Sequence, residues 1–258
     1  SGLFYTYVST DNKDSTKNIV YLGQSGLSLP DEAYYREDEY KEIRQAFLKH
    51  VQTMFELANL ENPSQSAAQV LEIETQLAAY HWDQVKDRDA ELTYNKKSFT
   101  ELKQLAASFN WPLWIQSSNT PAKVLDQVII RQPSYLEGLS KLLAAFDLPK
   151  WRSWLSWHVL SGASPYLSAA FVNENFNFYG TTLSGIPKLK DRWKRGVGLV
   201  EGALGEAVGQ IYVERHFGEN AKTKMVELVA NLTKAYRVSI EGLSWMSQET
   251  KERAYVKL

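Results

Sequence analysis

Histidine side chains are the first place to look for chemistry in this chain, and their spacing decides which chemistry they could do. The histidines are His50, His81, His158 and His216, and none has another within four residues. A catalytic zinc site carried by a helix needs two histidines four apart, with a glutamate between them as general base. Each histidine is therefore expected to be a satisfied core residue or a surface residue rather than a metal ligand.

Other reactive side chains show no catalytic pattern either. The chain has no cysteine, which excludes disulfides, thiol catalysis and cysteine-bound zinc within it. The segments Ser161–Ser164 and Gly180–Thr182 lack the spacing of a nucleophile elbow or a phosphate loop. Carboxylates are frequent in 31–42 and 83–91, where most belong to solvated helix faces. The sequence assigns no catalytic residue and no metal ligand, and substrate-binding residues stay unknown.

The elements that would position a site begin with a small β-structure. Residues 3–23 are predicted to form a β-hairpin, because strand-forming residues flank the turn segment Asp11–Ser15. From Asp31, the predicted N-cap of the first helix, the pattern turns helical. The first helix is predicted to end at Glu61–Ser64, and a second to run from about Ser66.

Later segments continue the helical pattern with one exception. Ser98 with Glu101 three residues on predicts a capping box. Residues 124–130 predict a short buried strand, and Gln132–Ser134 starts a helix through about Phe146. The expected fold class is mainly α, a multi-helical lobe with a small β-hairpin or sheet near the N-terminus.

Three tryptophans, Trp151, Trp154 and Trp157, recur at a spacing of three and share one helical face. A carbohydrate or peptide platform is one interpretation. Packing in a core or an interface is preferred, because tryptophan contributes mainly buried area.

A stripe of glycines, Gly198, Gly202, Gly205 and Gly209, also lies on one helical face. Each costs a helix interior roughly 1 kcal/mol relative to alanine. The close approach of another helix is the expected compensation, and leucine at Gly205 would then destabilise the protein by roughly 1–3 kcal/mol.

Composition limits the partners. The net charge is -1 over 258 residues, so the total implies no nucleic-acid-binding surface. No run of about eighteen apolar residues predicts a membrane-spanning segment. The chain starts at Ser1, so the native N-terminus and any signal or anchor are expected to precede it. A cytoplasmic bacterial location is the expectation, with secretion as the alternative.

Motifs spread along the chain resemble the neprilysin-type zinc metallopeptidases, the family of neprilysin, endothelin-converting enzyme and bacterial endopeptidase O. In Gln24–Pro30, similar to the family's Gln-Gly-Gly-Leu-Gly-Leu-Pro, serines replace two glycines at Ser25 and Ser28. The other matching elements are Tyr34-Tyr35, Glu74–Ala78, Arg88-Asp89, Tyr94-Asn95, Phe176, Phe178, Gly185, Arg192–Arg195, Leu204–Val213, Phe217 and Trp245–Leu258.

The resemblance implies a division of labour in a two-lobed protease. Residues 1–30 would be the hairpin and entry segment, and residues 31–258 a helical capping lobe that restricts the size of oligopeptide substrates. The zinc ligands and the catalytic glutamate of that family lie downstream of Leu258. The parent protein is therefore expected to be a zinc metalloendopeptidase, while this segment alone binds no zinc and is inactive. Its expected partners are a C-terminal catalytic domain and peptide substrates.

The alternative is a stand-alone, non-enzymatic peptide-binding or scaffold protein derived from that lobe. The two differ in whether the reading frame continues past Leu258 into a His-Glu-x-x-His segment.

Overall fold

The computed structural model describes residues 2–258, which form two compact units, residues 2–189 and residues 190–258. The predicted limit between residues 30 and 31 coincides with neither end of these units, and the division into a hairpin segment and a capping lobe stays a prediction. No helix among residues 2–258 is both long enough and apolar enough to cross a membrane.

The first unit opens with the predicted hairpin. β1 (Phe4–Asp11) pairs antiparallel with β2 (Asp14–Gln24), with Tyr7 opposite Tyr21. The sheet of the described chain has the order β1-β2-β4-β3, in which β4 (Gln127–Ile130) runs parallel to β2 and antiparallel to β3 (Asn95–Ser98).

Helices make up most of the remaining first unit. They are α1 (Ala33–Arg36), α2 (Lys41–Leu57), α3 (Pro63–Ala78), α4 (Gln84–Asp87), α5 (Phe99–Leu105), α6 (Trp111–Ser117), α7 (Pro133–Ala145), α8 (Leu148–Ala163) and α9 (Ala169–Asn175). A π-helix, Phe176–Thr182, follows α9 directly. The fold is mainly α with a small sheet near the N-terminus, as predicted.

Most of the helix caps and strands predicted from neighbouring residues agree with the structure. Ser98 and Glu101 form the predicted capping box of α5. Asp31 does not cap a long helix. Its Oδ1 accepts a hydrogen bond from the Ala33 backbone N–H at 3.0 Å, and α1 ends after one turn. The predicted strand at 124–130 is correct only in its second half, because Ala122–Leu125 forms a 3₁₀ turn after Pro121.

Two apolar clusters carry the core of the first unit. One lies under the sheet, where Val20, Val128 and Ile130 meet α5, α6 and α7. The other lies between α2, α3 and α8, around the fully buried Phe47 and Trp157. Burying an apolar side chain of this size stabilises a fold by roughly 1.5–3 kcal/mol, so these clusters are the main source of the unit's stability.

The predicted tryptophan face is a packing surface. Trp154 and Trp157 of α8 are buried, and Trp151 packs against the cluster under the sheet. The indole Nε1 of Trp154 donates to the Gly26 carbonyl at 3.3 Å. The packing interpretation is confirmed.

The second unit is built from α10 (Arg192–His216), α11 (Glu219–Gly242) and α12 (Gln248–Lys257). Ser247 caps α12, accepting at Oγ from the Thr250 N–H. No residue of these helices is buried in the described chain. Their exposed apolar side chains include Trp193, Ile211, Tyr212, Met225, Leu228, Leu232, Tyr236 and Trp245.

The glycine stripe does not meet the expected partner within this unit. A Cβ built at Gly198, Gly202, Gly205 or Gly209 meets nothing within 4 Å. The prediction of close helix packing is therefore wrong for the described chain. The helix instead departs from α-geometry at Leu204 (φ -130°, ψ 17°), beside Gly205, where glycine lowers the resistance of the backbone to bending.

Candidate functional site

The segment Gln24–Pro30, here called the pinned loop, is where buried polar groups of the first unit converge. It leaves the end of β2 and enters the helical region before α1. Gly26 has φ +94°, a conformation that side chains with a Cβ rarely adopt, and a Cβ there would lie 3.3 Å from Leu77 Cδ1. Serines replace two glycines of the family motif in this loop, whereas Gly26 is kept at the position whose positive φ requires glycine.

Glu74 of α3 is the acceptor that holds the pinned loop from within. Its side chain has no exposed surface. Oε1 accepts from Ser28 Oγ at 2.7 Å and lies 3.0 Å from His158 Nε2. Oε2 accepts from the Ser28 backbone N–H at 3.0 Å and from the Tyr35 hydroxyl at 2.5 Å. Hydrogen bonds of this number are what allow a carboxylate to be buried.

Neighbouring side chains complete this arrangement, here called the Glu74 network. Trp157 Nε1 donates to Ser28 Oγ at 2.8 Å, so the serine hydroxyl both accepts and donates. Burial and the adjacent Glu74 carboxylate hold the pKa of Tyr35 well above its ordinary value. The phenol therefore stays protonated and donates to Glu74, while it accepts from the Leu29 N–H at 3.0 Å.

The start of the pinned loop is fixed by two further side chains. Tyr135 donates to the Ser25 carbonyl at 2.7 Å, and His81 Nε2 donates to the same oxygen at 3.1 Å. Burial lowers the pKa of His81 to about 4, so the ring is neutral near pH 7. The Gln24 amide exchanges two hydrogen bonds with the Trp82 backbone, of 2.7 and 2.8 Å.

An open cleft of about 270 Å³ borders the pinned loop, lined in part by Tyr5, Glu32, His81 and Asp87. Its carboxylates already have partners. Glu32 pairs with Arg36 at 2.6 Å, and Asp87 pairs with Arg131 at 3.1 Å. Asp31, which also lines the cleft, accepts from the Ala33 N–H and from Gln84 Nε2 at 2.7 Å. The cleft therefore presents carboxylates that are already hydrogen-bonded or ion-paired and not a pair of free acids for general acid–base work.

The histidines lie apart from one another. His50, His81 and His158 each have a hydrogen-bond partner in the first unit, with His50 Nδ1 2.8 Å from Glu174 Oε1, whereas the other ring nitrogen of His50 has none. His216 lies beside Tyr212 on α10, with the two rings tilted and their centroids 5.0 Å apart. Among residues 2–258, no three His, Asp or Glu side chains are placed to hold a metal ion. The donor set of these residues does not fit a zinc site of the three-ligand type.

From the sequence, Glu74 was identified only as part of a family motif, and its role as a buried hydrogen-bond acceptor was not predicted. A signal was available. Val70, Ile73 and Leu77 form the buried stripe of α3, and Glu74 lies on that stripe at helical spacing. A carboxylate on the apolar face of a helix must find donors, so its position alone marks it for a buried network.

Comparison with known proteins decides the family. The model of the N-terminal domain of peptidase family M13 matches residues 1–258, the whole chain. The chain belongs to peptidase family M13. The resemblance found from the motifs is confirmed.

Relatives place this M13 chain within longer proteins. Human endothelin-converting enzyme 1 is 31% identical over 270 residues, with 100% of this chain and 34% of that protein covered. Neutral endopeptidase of Lactobacillus helveticus is 27% identical over 253 residues, with 97% and 39% covered. The structure of the Mycobacterium tuberculosis zinc metalloprotease in complex with inhibitor is 41% identical, with 99% and 39% covered and a TM-score of 0.89. The chain thus spans 34% to 39% of the length of these M13 relatives.

Proposed function

We propose that this chain is the non-catalytic, chamber-capping part of a zinc metalloendopeptidase that hydrolyses oligopeptides. The observation that carries the proposal is the match of the M13 N-terminal domain to all of residues 1–258, in a chain that spans only 34% of human endothelin-converting enzyme 1. The absence of a metal donor set among residues 2–258 supports assigning zinc and catalysis to the remainder of the protein.

In this proposal the two units have different tasks. The first unit has its own buried clusters and a polar network that fixes the pinned loop, as a rigid cap requires. The helices of residues 190–258 bury no side chain and expose a row of large apolar ones. So many exposed large apolar side chains in one unit are typical of an interaction site. We assign this apolar surface to contact with the C-terminal catalytic domain. We assign residues 190–258 to the hinge region of the parent protein.

Within the parent protein, the whole 258-residue chain would limit which peptides reach the zinc. Metal-bound water would supply the nucleophile for peptide hydrolysis in the catalytic domain. The residues of this chain would exclude large substrates by position and bind no metal. A cytoplasmic bacterial location also belongs to the proposal, supported by the absence of cysteine.

A ladder of peptides tests the cap. The whole parent protein is given unstructured peptides that share one cleavage sequence and increase in length, together with an unfolded protein that contains the same sequence. The proposal expects kcat/KM to fall steeply beyond a threshold length, and the protein substrate to resist cleavage. Equal kcat/KM for the shortest and the longest substrate would refute the capping role. Absence of any cleavage, with no zinc bound, would refute the assignment to a zinc peptidase.

A further inference from the structure

His50 of α2 is a buried titratable group that the proposed function does not use. Its side chain is 1% exposed, and Nδ1 lies 2.8 Å from Glu174 Oε1 on α9. The other ring nitrogen, Nε2, is buried and has no hydrogen-bond partner. In the neutral ring, Nδ1–H donates to the carboxylate and Nε2 carries only a lone pair.

Aromatic rings enclose the unpartnered nitrogen. The His50 ring stacks on Phe178 of the π-helix at 4.8 Å and 11°, and meets Tyr179 edge-on at 5.5 Å. From α8 it meets the uncharged Trp157 ring at 5.4 Å. Glu174 on α9 is the charged group that faces it. Burial raises the pKa of the Tyr179 phenol, so that group stays neutral.

A proton added at Nε2 would place an N–H donor and a positive charge where the surrounding rings offer no hydrogen-bond acceptor. Two effects oppose this penalty, the Glu174 carboxylate and the face of the stacked Phe178 ring. Burial outweighs the carboxylate, and the pKa of His50 lies below its ordinary value of 6.5. The closed arrangement therefore favours the neutral ring.

The segment that His50 holds also packs against the cluster around Phe47 and Trp157, through the half-buried Phe171 of α9. No residue of α9 is buried, and the buried residues of the following π-helix are Phe178 and Gly180. Glu174 is 23% exposed, so water reaches the carboxylate when the contact opens. π-helical turns are less regular than α-helices and often occur where a helix has to adjust.

We propose that the His50–Glu174 pair is an acid-sensitive latch, which holds α9 and the π-helix against α2 near neutral pH and loosens them when His50 takes up a proton. Because an open segment binds this proton more readily than the closed one, opening becomes more favourable as the pH falls below 6.5. For each pKa unit by which the closed form lies below the open form, full protonation of His50 increases the equilibrium constant for opening by a factor of about ten. The effect levels off once the pH lies below the pKa of the closed form.

Hydrogen exchange on the whole parent protein tests the latch. Protection of residues 169–182 is expressed relative to α7, residues 133–145, between about pH 7.5 and about pH 5, after correction for intrinsic exchange. The wild type is expected to lose relative protection with falling pH. His50→Gln, which can still donate to Glu174 but does not titrate, is expected to show a flat ratio. His216→Gln, which changes an exposed histidine, is expected to match the wild type.

Two results would overturn the latch: a wild-type ratio that does not change with pH, or the same loss in His50→Gln as in the wild type. Glu174→Gln gives an independent readout if His50→Gln does not fold. Removing the carboxylate charge makes the closed form harder to protonate, so the loss of protection should spread to lower pH. An unchanged pH profile in Glu174→Gln would also contradict the proposal.

Discussion

Replacing Glu74 with alanine should be among the most destabilising single changes in the first unit. The change removes the acceptor for Ser28 Oγ, the Ser28 N–H, the Tyr35 hydroxyl and His158, inside a region closed to water. A buried donor left without a partner costs about 1–3 kcal/mol, and Glu74→Ala removes the acceptor of several donors at once. The expected loss is about 4 kcal/mol.

That loss is large against the total stability of a domain, which is about 5–15 kcal/mol. For a unit of this size, 1 kcal/mol shifts Tm by about 2–4 °C, so Glu74→Ala should lower Tm by about 10 °C. Glu74→Gln keeps one acceptor oxygen but turns an NH₂ group toward donors, and should lose about 2 kcal/mol.

The matched control lies two residues away on the same helix, on its exposed face. Glu72 pairs with Lys150 at 2.8 Å and is 45% exposed, so Glu72→Ala should change stability by about 0–1 kcal/mol. Thermal and urea unfolding of the three variants beside the wild type give the values. Equal Tm values for Glu74→Ala and Glu72→Ala would refute the claim that the network stabilises the fold.

Three further changes test other parts of the structure. Gly26→Ala should lose about 1–3 kcal/mol in urea unfolding because of its φ of +94°, whereas Gly162→Ala, with open space at its Cβ, should be neutral or stabilising by up to about 1 kcal/mol; equal effects would contradict the strain. The pKa of His81 is lowered to about 4 in the folded state, so burial of the neutral ring is compatible with full stability above pH 6.5. As the pH falls to about 4, the free energy of unfolding should decrease by up to about 3 kcal/mol. Urea midpoints between those pH values should change less in His81→Gln, and an identical slope would contradict the burial of this ring. Gly205→Leu should leave the Tm of the 258-residue chain unchanged or higher, because nothing lies within 4 Å of its Cβ, and a fall of several degrees would show packing that the structure does not contain.

Signals that act over a few residues were predictable from the sequence. The capping box at Ser98 and Glu101 and the cap at Ser247 need only neighbours three residues apart. The buried faces of α2 and α3 follow from apolar spacing, which the core confirms. The family followed from motif order, a form of information that does not require the fold.

Features that depend on distant contacts were not predictable in the same way. The donors to Glu74 come from β2's exit loop, α1 and α8, up to 84 residues away in sequence. The boundary between the two units, at residues 189 and 190, is not marked by a change in amino-acid composition. The glycine stripe was assigned a partner because four glycines in a helix imply compensation, yet the described chain supplies none.

The division between a metal-free chain and a catalytic remainder can be tested by measuring zinc content and peptidase activity for the whole parent protein and for the 258-residue chain, both after dialysis. We expect tightly bound zinc and chelator-sensitive peptide hydrolysis in the whole protein, and neither in the chain, whose described residues bring no metal donor set together. Stoichiometric zinc in the chain, with peptide hydrolysis that chelation abolishes, would contradict this division.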